Sequence, residues 1–278
     1  MPVIRRTGLI RFASLVSAIF TLSILFSAPA SACGPDSRCE IEEGYYLAAP
    51  PPDWDGASPL PLIVYFHGWN GSPEGTFRNR AMLRAAHRRG ALFVAPYARS
   101  GYWRQIGEGR AEHGRDEAAY ARAIAADIRA RWPIDEARTL ASGFSRGGSM
   151  VWNVACYVGG YAGYAPIAGG FWDETPSDCP AGAASIRHIH GLKDRVVAYD
   201  EVGVYNSAPI PEGLALFRNL NNSEISEFLE TRRFRCERWS GDKALEVCLH
   251  EKGHSIPAEW VAEGLDWLDE VNRIAADN

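Results

Sequence analysis

Along most of the chain, short runs that are apolar at every position alternate with segments of helical length. Residues 60–66, 91–95 and 164–168 are such strand-length runs, 138–141 is a shorter one, and 186–190 and 245–250 continue the series with polar residues among the apolar ones. Between them, 76–89, 116–131 and 149–156 have the length of helices, and 257–274 closes the chain as another. Within 116–131, Ala119, Ala123 and Ile124 fall on one side. A strand with no polar face must be covered on both sides, and such strands separated by helices predict a mostly parallel central sheet with helices on both faces. One local exception is expected: 234–239 and 244–250 flank the turn Ser240-Gly241-Asp242-Lys243 and read as a hairpin that sets Cys236 opposite Cys248.

The first 32 residues have a different character. Arg5, Arg6 and Arg11 precede or begin an apolar run over 12–26, and Ala30-Ser31-Ala32 follows. A basic start, a short apolar run and small residues at the −3 and −1 positions are the marks of a signal peptide. The run is shorter than the roughly 20 residues that cross a bilayer. The expected organisation is therefore a signal peptide over 1–32 and a single catalytic domain over 33–278, secreted or periplasmic, with no membrane span in the mature chain.

Six cysteines, all beyond residue 32, fit an oxidising compartment. Neighbourhood pairs Cys33 with Cys39, Cys156 with Cys179 and Cys236 with Cys248, one of fifteen possible arrangements. No CxxC or HxxxH grouping points to a metal. Of 29 basic side chains, 26 remain without the three leader arginines, against 34 acidic ones. That balance gives no cause to expect a nucleic-acid partner, because phosphate binding needs clustered positive charge. The main basic cluster, Arg84, His87, Arg88 and Arg89, reads as the solvated last turn of a helix closed by Gly90.

The chemistry is concentrated in residues 139–155. Gly143-Phe144-Ser145-Arg146-Gly147 fits GxSxG and sits where a buried strand would turn sharply into a helix. A hydroxyl is a poor nucleophile, so it must stand clear of the fold where a base can take its proton. Ser145 is the expected nucleophile. Its partners should lie on loops at the carboxyl edge of the sheet, where ligands bind. Asp194 follows the strand that ends at His190 and is preferred to Asp200 as the acid. His254 follows the last strand and is preferred as the base to His250, for which a structural role is expected. The loop His67-Gly68-Trp69-Asn70-Gly71 follows the first apolar strand, so the backbone N–H groups of Trp69 and Arg146 are assigned as oxyanion donors. The His67 side chain is expected only to tie that loop down.

Taken together, LPLIVYFHGWNG, RDEAAYARAIAADI, GFSRGGSM, HGLKDRVVAY and GHSIP resemble the secreted polyhydroxybutyrate depolymerase and feruloyl esterase family. The resemblance spans nearly all of the mature chain. It implies an α/β-hydrolase fold and a carboxylic-ester hydrolase without a cofactor, acting on feruloyl, other phenolic or hydroxyalkanoate esters. It carries the triad to Ser145, Asp194 and His254, the same residues the local reading selects. Two positions depart from the family pattern: Arg146 follows the nucleophile, and Ile256 stands between Ser255 and Pro257. Both leave the triad intact and bear on acyl specificity. The same machinery would also serve acyl transfer, and the scaffold could serve as a silent binding domain. The aromatics Trp69, Tyr102, Trp103, Phe171 and Trp172 fall in carboxyl-edge loops, with Trp172 and Trp103 the candidate substrate-binding residues.

Overall fold

The computed structural model describes residues 33–106 and 114–276 besides Met1. Apart from Met1, the expected signal peptide lies outside the described residues. The described residues from Cys33 onward belong to one structural unit. In chain order its elements are β1 (Cys39–Ile41), β2 (Gly44–Ala49), β3 (Leu60–Phe66), α1 (Pro73–Arg78), α2 (Arg80–His87), β4 (Leu92–Pro96), α3 (Glu117–Arg131) and β5 (Ile134–Phe144). They continue with α4 (Arg146–Tyr157), β6 (Gly163–Ile167), β7 (Ile186–Gly191), α5 (Ile210–Leu220), β8 (Glu224–Glu230), β9 (Arg235–Ser240), β10 (Leu245–His250) and α6 (Trp260–Ala276).

The strands form one sheet in the order β1-β2-β4-β3-β5-β6-β7-β10-β9-β8. The six central strands, β4 to β10 in that order, run parallel, and two antiparallel strands close each edge. Strand β3 shows why the apolar runs had to be uninterrupted. Leu60, Leu62, Val64 and Phe66 enter one core with Ile124 of α3, Val151 of α4 and Leu214 of α5. Ile63 and Tyr65 enter the other, with Phe77 of α1, Met82 of α2, and Val261 and Leu265 of α6. Successive side chains point to opposite faces, so both faces need apolar residues when helices cover both.

Several boundaries differ from the sequence expectation for identifiable reasons. Residues 76–89 do not form one helix. Asn79 leaves helical geometry at φ −76° and ψ 81°, and its side chain accepts from Met82 N, ending α1 and capping α2. Asp116 is the cap of α3 and not its first residue, accepting from Ala119 N at 3.0 Å. Strand β5 begins well before 138, through polar residues beyond the buried stretch. Four elements, β1, β2, α5 and β8, went unforeseen. Strand β8 is exposed at nearly every position and so has no apolar pattern to betray it.

The three disulfides are Cys33–Cys39, Cys156–Cys179 and Cys236–Cys248, the pairing drawn from neighbourhood. Cys236 and Cys248 are opposite each other in the β9–β10 ladder, so the expected hairpin and its bond coincide. The basic cluster at the end of α2 is anchored by α6 and the residues just before it: Arg88 pairs with Glu259, and Arg89 with Asp266. No helix among the described residues is long and apolar enough to cross a membrane.

Candidate active site

Ser145 occupies the single residue between β5 and α4, at φ 56° and ψ −123°. A side-chain-bearing residue with positive φ is strained by about 1–3 kcal/mol and is held there only by its surroundings. Those surroundings demand glycine. A Cβ on Gly147 would lie 1.9 Å from the Phe66 carbonyl oxygen, and one on Gly143 would lie 2.4 Å from the Gly147 carbonyl oxygen. The first turn of α4 therefore presses on the ends of β3 and β5, and only there can the serine be pushed out. Its own N–H donates to the Ile167 carbonyl at 2.9 Å.

The other two predicted residues arrive from later strands. Asp194 follows β7 and His254 follows β10, which pair in parallel and so deliver their loops to the same edge as β5. The Ser145 hydroxyl donates to His254 Nε2 at 2.8 Å. His254 Nδ1–H donates to Asp194 Oδ2 at 2.6 Å. The other carboxylate oxygen, Oδ1, accepts from Val196 N at 2.8 Å and Val197 N at 3.0 Å. Burial works against the Asp194 charge, but the hydrogen bonds from His254 and the two backbone N–H groups outweigh it and hold the carboxyl below its ordinary value.

His250, the rival base, and His67 have other partners. His250 accepts from Lys252 N through Nδ1 at 3.1 Å and packs against Trp260 and Phe234. Burial holds its pKa below the ordinary imidazole value. His67 is buried and hydrogen-bonds the Gly68 carbonyl through Nδ1 at 2.9 Å, while its own carbonyl accepts from Trp103 Nε1 at 2.8 Å. The loop it ties down passes close to Ser145, since a Cβ on Gly68 would stand 3.6 Å from Ser145 Cβ. Trp69 is the next residue of this loop. Arg146 opens α4, where the backbone N–H groups of the first turn point out of the helix.

The aromatic expectation divides. Trp103 does not line the site: it is only 1% exposed and lies beneath the loop of residues 67–71, edge-on to Phe66. Its indole N–H is consumed in tying that loop, which explains its burial so near the carboxyl edge. Phe171 is likewise buried, packed on Trp152. Trp172 lines a cleft of about 970 Å³ together with Tyr102, Gln105, Arg115 and Arg146. The Arg146 guanidinium lies 4.2 Å above the Trp172 ring, and its Nε donates to the Trp103 carbonyl. Trp69 is 65% exposed and stacks on Tyr102 with ring centroids 5.2 Å apart. Gln105, which donates to the Trp172 carbonyl at 2.7 Å, carried no signal in the sequence.

Among the described residues, one grouping of possible metal ligands occurs, Cys236, Glu246 and Cys248. Its two sulfurs are bonded to each other, which removes them as ligands.

No family model matches the chain. Two fungal proteins named probable feruloyl esterase C are similar to it. That of Aspergillus niger is 24% identical over 202 residues, covering 68% of this chain and 71% of its own. That of Aspergillus oryzae is 27% identical over 202 residues, covering 67% and 71%. They agree with the feruloyl esterase side of the motif resemblance. Among solved structures, an acetyl xylan esterase from Aspergillus awamori superposes with a TM-score of 0.61 at 11% identity, covering 82% of this chain and 94% of its own. A Bacillus cereus carboxylesterase gives 0.55 at 12% identity, covering 83% and 95%. The chain has the α/β-hydrolase fold, and its sequence is similar to those of feruloyl esterases over about two thirds of its length.

Proposed function

We propose that the protein is an exported carboxylic-ester hydrolase that works through an acyl-enzyme on Ser145. The reading is carried by one observation, the continuous hydrogen-bonded series from the Ser145 hydroxyl through His254 to Asp194. His254 takes the hydroxyl proton as Ser145 attacks the ester carbonyl, and the carboxylate of Asp194 fixes the ring and offsets the positive charge it gains. The carbonyl oxygen, now negative, accepts from the N–H groups of Trp69 and Arg146. Each such donor is worth about 2.7–4 kcal/mol to the transition state. His254 returns the proton to the leaving alcohol, and water repeats the sequence to release the acid.

The similarity to feruloyl esterases and the Trp172 cleft favour a phenolic acyl group over a purely aliphatic one. A planar ring is well matched by the flat cationic surface of a guanidinium held over an indole. Nucleic acid has no place in this reading. Three disulfides and the basic, then apolar, N-terminal pattern support export to the periplasm or beyond. Ser145→Ala should lower turnover of p-nitrophenyl acetate by roughly 10⁴ to 10⁶ with unchanged circular dichroism. Wild-type turnover in that variant would remove Ser145 from its role.

A further inference from the structure

Directly behind the Asp194 loop, β7 carries two histidines that the chemistry above does not use. Their spacing puts His188 and His190 on one face of the strand. Both are 0% exposed, with Trp152 beside His188 and Tyr199 beside His190. His190 Nε2 lies 2.8 Å from the Val197 carbonyl oxygen. A carbonyl can only accept, so the proton sits on Nε2 and leaves Nδ1 of His190 as an acceptor. The Nε2–H of His188 fills it at 2.9 Å. Val197 in turn donates its N–H to Asp194 Oδ1, and His190 Nε2 stands 3.7 Å from Asp194 Oδ2. The bonds thus form a one-way series, from His188 to His190 to the residue that grips the carboxylate. An apolar pair could fill the same space without the desolvation cost of two buried rings.

We infer that His190 is a positioning residue for ester hydrolysis: through Val197 it holds the turn that aims Asp194 at His254, and His188 supports the ring from its other nitrogen. The inference rests on the hydrolase reading above. It is tested by measuring kcat and KM for p-nitrophenyl acetate with the purified mature protein and variants at His190 and Asp194. His190→Leu should lower kcat on the order of 10- to 100-fold, with KM within about twofold, because a small misplacement of a catalytic group costs that much. His190→Gln, whose amide nitrogen can reach Val197 as Nε2 does, should recover kcat to within about threefold of wild type. Added to Asp194→Ala, His190→Leu should cause no further loss, because its effect passes through the carboxylate. Full kcat in His190→Leu, or losses that multiply in the double variant, overturns the inference. If His190→Leu fails to fold, His190→Asn replaces it: its amide is too short for Val197, the same loss is expected, and full activity overturns the inference. Ser145→Ala keeps the two claims apart. Turnover that survives there overturns the hydrolase reading, whereas turnover lost there but kept in His190→Leu overturns only the role of His190.

Discussion

Acid should destabilise this fold well above the pH at which its carboxylates titrate, and the buried histidines are the reason. Burial lowers the pKa of His190 from 6.5 to about 4, that of His188 well below 6.5, and those of His67, His87 and His250 in the same direction. An unfolded chain binds protons at these rings near pH 6.5, while the folded chain declines them until lower pH. Stability is therefore complete above about pH 6.5 and is lost as pH falls toward the folded values. For His190 alone, the interval from 6.5 to about 4 integrates to about 2 kcal/mol lost by pH 5 and about 3 kcal/mol at full protonation. Against a typical total of about 5–15 kcal/mol, that is a large share. Glu117 works the other way, since burial raises its pKa, but it is one group against five. Urea unfolding followed by tryptophan fluorescence at pH 7.5, 6 and 5 measures the loss. In His190→Gln the decline between pH 7.5 and 5 should shrink by about 2 kcal/mol. An equal decline in wild type and variant would refute the reasoning.

Other expectations are as direct. Gly147→Ala drives a methyl group into the Phe66 carbonyl and should destabilise the fold by about 2–4 kcal/mol in a thermal or urea melt, removing activity with it. Asp194→Asn should lower kcat about 10⁴-fold toward p-nitrophenyl acetate while the melt stays close to wild type, because the imidazole is then held in the wrong tautomer. Replacing both Cys236 and Cys248 with serine should cost about 2–4 kcal/mol of unfolding free energy in a urea melt, since the bond closes the β9–β10 ladder. Trp69→Ala, at an exposed position, should shift stability by less than about 0.5 kcal/mol, and the ratio of kcat/KM for a feruloyl ester to that for an acetyl ester reports whether the ring meets the acyl group.

The parallel body of the sheet was legible because its strands are buried on both faces and therefore largely apolar, with β7 the most polar of them; β3 and β10 begin and end where the pattern does. The three residues of the hydrogen-bonded series, Ser145, His254 and Asp194, were legible for a different reason. Topology confines such residues to one sheet edge, which leaves few candidates per loop, and the close approach around Ser145 writes itself into the sequence as glycine. What escaped has equally physical causes. The break at Asn79 depends on a side-chain cap that a helical pattern cannot display, and β8 has no buried face to impose alternation. Trp103 was misplaced because loop membership says nothing about depth; only the indole bond to His67 reveals that the ring supports the loop from below. His188 and His190 were visible as strand residues, but their direction of donation follows only from the Val197 carbonyl.

Under the proposed function, the order in which Ser145, Asp194 and His254 enter the chain has a consequence for biosynthesis. The elbow is complete by residue 157, whereas the imidazole comes 109 positions after the hydroxyl. A polypeptide emerging from its N-terminus thus carries an ordinary, unreactive alcohol while those intervening residues are made. In the proposed reaction, docking of β10 and the loop after it converts that alcohol into a reagent, and the nascent chain stays chemically silent until they are in place.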